Sequence, residues 1–224
     1  MYTKYRSRTG SGELSRKLLA ILMAAGMLSS GAYANDVYME QIGDNAVVTI
    51  LQEGTSNVIK GLGVNSDDPA QIIGDNNNVT VTQSGINNLL RLHVDNPGSG
   101  TTVSSSAIGN DNQQTISCGA TNSDCNASSI SQSITGNSNI VSTTLSGSAV
   151  SSAITVTGNY NQVSHTASGA GAHTATIDVT GSGSGAGQNP RNIVSLTQSG
   201  LNAKTANISS NGGNTNISIN QHDQ

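Results

Sequence analysis

Glycines recur every eleven residues along this chain, and that period constrains its fold more than any other feature. The series runs Gly43 and Gly54, Gly74 and Gly85, then Gly136, Gly147, Gly158 and Gly169. Around several of them stands the pattern Gln-x-Gly-x-x-Asn. It is complete in Gln52-Glu53-Gly54-Thr55-Ser56-Asn57 and in Gln83-Ser84-Gly85-Ile86-Asn87-Asn88. It is shortened in Gln41-Ile42-Gly43-Asp44-Asn45 and in Gln198-Ser199-Gly200-Leu201-Asn202. Elsewhere only Gly-x-x-Asn survives, at Gly109/Asn112, Gly136/Asn139, Gly158/Asn161 and Gly213/Asn216. A repeat of this length is the mark of a stacked architecture rather than of a single globular core.

The residues before each glycine alternate with period two, which is strand and not helix. One parity carries Asn77, Val79, Val81 and Gln83, and the other Asn78, Thr80 and Thr82. The same parity gives Val37, Met39 and Gln41, then Val48, Ile50 and Gln52, then Val194, Leu196 and Gln198, and near the C-terminus Ile217, Ile219 and Gln221. Each unit therefore reads as a strand followed by a turn. Glycine supplies positive φ or a close backbone approach in that turn, and Asn tolerates left-handed backbone and bonds its own main chain. Two units make a strand-turn-strand-turn coil of about 22 residues. The predicted fold is thus all-β, a β-solenoid with like residues stacked about 4.7–4.8 Å apart.

Stacking also gives the inward amides something to bond. A buried amide without a partner is costly, but identical amides in adjacent layers can donate upward and accept from below. Gln41, Gln52, Gln83 and Gln198 are the candidate glutamine ladder. Asn57, Asn88, Asn139 and Asn161 are candidate asparagine positions, with polar loop residues as the competing reading. Gly43, Gly54, Gly74, Gly85, Gly136, Gly147, Gly158 and Gly200 are the candidate turn glycines.

Composition removes the globular alternative. The chain of 224 residues has no Phe and no Trp. Its apolar residues are mostly Val, Ile, Leu and Ala, spread thinly among Ser, Thr, Asn and Gly, where an ordinary core draws on large aromatics. Disorder is one outcome of so poor a core. The enrichment in Val, Ile and Thr favours a thin repetitive β-structure.

Residues 1–34 read as a secretory leader. Lys4, Arg6, Arg8, Arg16 and Lys17 form a basic region, Leu18–Leu28 a short apolar stretch, and Ala32-Tyr33-Ala34 a small-residue cleavage site. The stretch is about half the length that spans a bilayer, so no membrane span is expected once it is removed. The mature chain, 35–224, would keep Lys60, Arg91, Arg191 and Lys204 against twelve acidic residues, a net charge of −8. That balance argues against nucleic acid or an anionic membrane as partner. Only Tyr38 and Tyr160 remain as its aromatics.

Strand-Gln-x-Gly-x-x-Asn-strand, repeated behind a leader, resembles the curlin repeat of curli fibre subunits. The nearest stretches are Val37–Asn57, Asn77–Asn88 and Asn192–Asn202, with looser units from about residue 35 to the C-terminus. The resemblance implies a secreted subunit that polymerises with itself into amyloid on the bacterial surface, serving adhesion and biofilm. It also implies export through a curli-type outer-membrane channel and a nucleator or major subunit as partner. The chain departs from the pattern from Thr101 to Gly187, where Ile134, Leu145, Val156 or Ala167 stands in place of Gln. Insertions fall at Gly61–Pro69, Asp95–Gly100 and Gly181–Pro190, and the sequence is Ser/Gly-rich and irregular around 95–130 and 181–190.

Cys118 and Cys125 lie in a loop-like stretch and either close a small disulfide loop or stand as thiols free for intermolecular pairing. His93, His165, His173 and His222 are scattered, with His165 and His173 on the inward parity, and form no catalytic set. No nucleophile elbow occurs. Asp67, Asp68, Asp75 and Asp111 read as solvated turns rather than calcium ligands. No cofactor, metal or enzymatic reaction is expected. The rival readings are a monomeric β-solenoid adhesin or ice-binding module, and a disordered low-complexity chain. Outward Thr80 and Thr82 suggest a threonine array, but few other coils repeat it in the sequence. Val37–Gln41 and Ile217–Gln221 lack charged or proline-rich caps and read as open ends.

Overall fold

The computed structural model describes residues 2–8, 34–43, 45, 47–96, 100–119, 125–126, 128–148, 150–182 and 191–223. Leu18–Leu28, the cleavage site up to residue 33 and most of the 181–190 insertion lie outside them. The fold is all-β, a solenoid of stacked parallel strands with about six turns, roughly 27 residues apart.

Two parallel sheets face each other. The first carries, in stacking order, Tyr2–Arg8, Asp36–Ile42, the split pair Val58–Lys60 and Ala70–Gly74, Leu89–Asn96, Gln113–Cys118, Ile140–Leu145, Asn161–Ser168, Asn192–Ser199 and Asn216–Gln221. The second runs through Val47–Thr55, Asn78–Ile86, Thr102–Ile108, the split pair Ser129–Ser131 and Ile134–Thr135, Ile154–Thr157, His173–Thr180 and Lys204–Asn211. The chain passes from one sheet to the other at every turn. A minor pair, Cys125–Asn126 with Gly147–Ser148, bridges two layers beside them.

The predicted coil of about 22 residues is the shortest one present. Val37 faces Ile59 and Val141 faces Val163, each 22 positions on. Other steps are longer, because insertions are expelled at the corners while the strands keep register. Val47 faces Asn78 and Asn161 faces Asn192, each 31 positions on. The insertion after Lys60 shows how this works. Val58–Lys60 and Ala70–Gly74 both pair with Leu89–Asn96, and the residues between loop out under a Gly61 N–H bond to the Asp68 carbonyl. A one-residue slip would turn every inward side chain outward, so the stack holds parity and sheds length into loops.

Inward positions form columns. In the first sheet Val37, Ile59 and Leu90 stack, Gln114 interrupts, and Val141, Val163 and Val194 resume the column, while in the second Ile154, Ile177 and Ile208 stack as another. Ile134, Leu145, Val156 and Ala167, which stand where the repeat would place Gln, are fully buried in the glutamine columns. The central region, irregular in sequence, therefore continues the stack. Gln114, Gln132, Thr143 and Ser152, all buried, lie between its two apolar clusters.

The turns explain the glycines. Gly54, Gly85, Gly109, Gly136, Gly158 and Gly181 have φ between 96° and 129° and lie above one another. A Cβ on Gly85 would stand 1.9 Å from the carbonyl oxygen of Gly109. Two positions later a second residue adopts left-handed backbone: Ser56, Asn87, Asp111, Ser138 and Tyr160. At the C-terminal repeat the sequence pairing Gly213/Asn216 is one residue out of phase. Gly212 has the positive φ, Asn214 the left-handed backbone, and Thr215 takes the Asn position, because Ile193 faces Asn216.

Candidate functional site

The longest polar feature is a column of asparagines, buried from Asn57 onward, that begins the layers of the first sheet as far as Asn192. Asn35, Asn57, Asn88, Asn112, Asn139, Asn161 and Asn192 stand in line. From Asn57 onward each Nδ2 donates to the Oδ1 of the preceding residue at 2.8–3.3 Å. The backbone N–H of Asn57, Asn88, Asn112, Asn139 and Asn161 donates to the same oxygen at 2.9–3.1 Å. The remaining amide hydrogen reaches the glycine carbonyl of the following turn, from Asn57 to Gly85, Asn88 to Gly109, Asn112 to Gly136, Asn139 to Gly158 and Asn161 to Gly181. Every layer is thus locked to both neighbours at one corner. Fully satisfied networks of this kind rigidify the fold in a low-dielectric interior.

All four sequence-predicted asparagines lie in this column. Asn35, Asn112 and Asn192 were missed, although Asn112 closes a Gly-x-x-Asn unit and Asn35 and Asn192 each sit six residues before an inward Gln, as Asn77 does. A second column at the same corner also escaped the sequence. Asn110 and Asn137, both exposed, and half-buried Asn159, each just after a turn glycine, accept from the backbone N–H of Ile86, Asn110 and Asn137 at 2.7–2.9 Å, and Ser182 continues the series at Asn159.

The glutamines behave differently from one another. Gln52 Nε2 donates to Gln83 Oε1 at 2.8 Å, and Gln198 Nε2 donates to Gln221 Oε1 at 2.8 Å. These are two short ladders, one near each end, with amides running in the same direction. Gln41 stands in the other sheet from Gln52 and faces Ile72. Its side chain turns to the Gly43 carbonyl instead, so it joins no glutamine ladder. The inward parity was legible, but the sequence did not say which sheet each strand enters.

The predicted turn glycines Gly43, Gly54, Gly74, Gly85, Gly136, Gly147, Gly158 and Gly200 all have positive φ. Cys118 and Cys125 are joined as a disulfide and are fully buried. His165 is buried, with Nδ1 near Ser152 Oγ and Nε2 near Gln198 Oε1, each 3.1 Å away. Burial holds its pKa below the ordinary value, the Gln198 contact opposes that shift, and nearby His173 adds to it. Among the described residues no cluster of three or more His, Cys, Asp or Glu could hold a metal ion. No helix there is long and apolar enough to cross a membrane.

One end of the stack differs from the sequence expectation of bare terminal units, because Val37–Gln41 is covered, while Ile217–Gln221 lies on an edge strand as expected. Tyr2–Arg8 lies along the edge of Asp36–Ile42, whereas Val47–Thr55 is the edge strand of the second sheet. At the other end Asn216–Gln221 and Lys204–Asn211 are both edge strands. Asp223 closes the nearby corner. It pairs with Lys204 and accepts the N–H groups of Leu201 and Asn202, and the Lys204 contact first and those N–H groups next hold its carboxyl far below the usual range.

No family model matches this chain, and no curated protein or solved structure matches it.

Proposed function

We propose that this chain is a structural subunit of a secreted, curli-like amyloid fibre, polymerising with itself through the ends of its solenoid. One observation carries the reading: parallel layers are tied by amide ladders, and strand edges stand open at both ends, Val47–Thr55 at one and Lys204–Asn211 with Asn216–Gln221 at the other. An edge strand is a template for another chain, and cross-β fibres are built from this kind of layer and amide ladder. The curlin-like repeats and the leader-like residues 1–34 add the setting: the bacterial surface, adhesion and biofilm, export through a curli-type channel, and a nucleator or major subunit as partner. Time courses of thioflavin-T fluorescence and electron microscopy on the secreted chain test it. A lag followed by concentration-dependent fibres supports it, with slower assembly for Gln52→Ala combined with Gln83→Ala.

A second reading, a monomeric surface-binding module, gains from the outer face of the second sheet. Thr49, Thr80, Ser104 and Ser131 form one column there, and Thr135, Thr157 and Thr180 form another. Thr102, Ser129, Ser151, Thr174 and Thr205 form a third. The hydroxyl array is thus wider than the sequence suggested, because unequal loops hid the register. A β-rich chain that stays monomeric at all concentrations would favour this module.

A further inference from the structure

Resting on the fibre reading, we infer that successive copies stack with a half-turn rotation about the solenoid axis, so that the first sheet of one copy continues into the second sheet of the next. In this arrangement Asn216–Gln221 pairs with the next copy's Val47–Thr55, and Lys204–Asn211 pairs with its Asp36–Ile42. The alternative is an unrotated stack, with Asn216–Gln221 on Asp36–Ile42.

The half-turn is permitted because the two sheets repeat one pattern eleven positions apart. Val37, Met39 and Gln41 are buried as Val48, Ile50 and Gln52 are. Gly43 and Asn45 have positive φ as Gly54 and Ser56 do. At the other end Ala206, Ile208 and Ser210 lead to Ile217, Ile219 and Gln221 by the same shift. A strand of either sheet is therefore a fitting continuation for the other.

The glutamine amides favour it, because the unrotated stack would set Gln221 on Gln41, whose amide nitrogen donates to the Gly43 carbonyl and whose next layer is Ile72. Gln198 uses its amide nitrogen twice, on the Thr174 carbonyl and on Gln221 Oε1. Gln221 repeats the first contact on the Thr205 carbonyl, one layer on, because Thr174 faces Thr205. Its counterpart to the second contact would be Gln52 Oε1 of the next copy. Gln52 already donates onward to Gln83 in the same direction. The joint thus fuses the two short ladders into one, Gln198–Gln221 followed by Gln52–Gln83. Ser210, only 3% exposed, has a hydroxyl with no hydrogen-bond partner. Either stack sets it on a glutamine of the next copy, Gln41 with the half-turn and Gln52, the head of its own column, without it, so the choice between the two rests on Gln221.

Continuity requires Tyr2–Arg8 to be absent from the edge of Asp36–Ile42, as removal of the leader would make it. The full-length gene is therefore expressed in an exporting host and the secreted product is used. Strands about 4.7–4.8 Å apart fall within the about 4.4–6.8 Å Cα separation that a disulfide spans. The half-turn register sets Ser218 beside Thr49 and Asn207 beside Tyr38; the unrotated one sets Ser218 beside Tyr38. Fibres of T49C/S218C and of Y38C/N207C should give covalent ladders on oxidation and non-reducing electrophoresis, and Y38C/S218C fibres should give none. Fibres that cross-link only through Y38C/S218C, or through none of the three pairs, overturn the half-turn and leave the fibre reading intact. A secreted chain that forms no fibres overturns both.

Discussion

Asn161 Nδ2 lies 3.0 Å from Asn139 Oδ1, and the Asn161 backbone N–H donates to the same oxygen at 2.9 Å. One side-chain oxygen thus fixes the next layer through two donors, deep in the stack. Asn139→Ala removes that acceptor and leaves two buried donors without partners. Because each stranded buried group costs about 1–3 kcal/mol, the substitution should destabilise by about 3 kcal/mol. The exposed neighbour Asn137→Ala, whose partners can turn to water, should cost less than about 1 kcal/mol. Denaturant unfolding of the two variants measures the difference.

Gly109 and Gly212 share positive φ but not surroundings. An added Cβ meets the Gly136 carbonyl oxygen at 2.0 Å in the first case and nothing within 4 Å in the second. Gly212→Ala should therefore show only backbone strain, about 1 kcal/mol. Gly109→Ala should add an overpacking cost of about 1–3 kcal/mol, read as a lower midpoint in the same titration.

Tyr160 holds φ at 56° at a position where other turns place Ser, Asn or Asp. Left-handed backbone is costly for a bulky residue and cheap for Asn. Tyr160→Asn should stabilise by about 1 kcal/mol, a rise of about 2–4 °C in Tm by calorimetry.

Acid should loosen the C-terminal half through His165. Burial depresses its folded-state pKa below the ordinary value of 6.5, so the unfolded chain binds the proton more readily. Its contribution is fully present above about 6.5 and is lost as pH falls through the folded pKa. Stability should thus decline on acidification below that value. His165→Gln should flatten this part of the profile, as shown by denaturant midpoints between about pH 7 and 5.

The strand parity, the turn glycines and the interior asparagines were legible because all three are local: a period of two, a positive φ, a fixed offset from Gly. Register between layers was not. The loop between Lys60 and Ala70 pushes its layer to a 31-residue step, and nothing local announces that the strand resumes in phase afterwards. For the same reason Gln41 was read as a ladder position with Gln52, Gln83 and Gln198, whereas the layer below it presents Ile72. The phase error at Gly213 arose because Gly212 and Gly213 are equivalent as letters and only pairing with Ile193 separates them. The wide Ser/Thr face stayed hidden because its columns draw on strands spaced by unequal loops.

Fibre diffraction on aligned assemblies of the secreted chain tests the central claim most directly. A stack continued from copy to copy predicts a strong meridional reflection at about 4.7–4.8 Å and an equatorial spacing near about 10 Å. A chain that keeps its β-structure in solution, stays monomeric as concentration rises and yields no such pattern would contradict it.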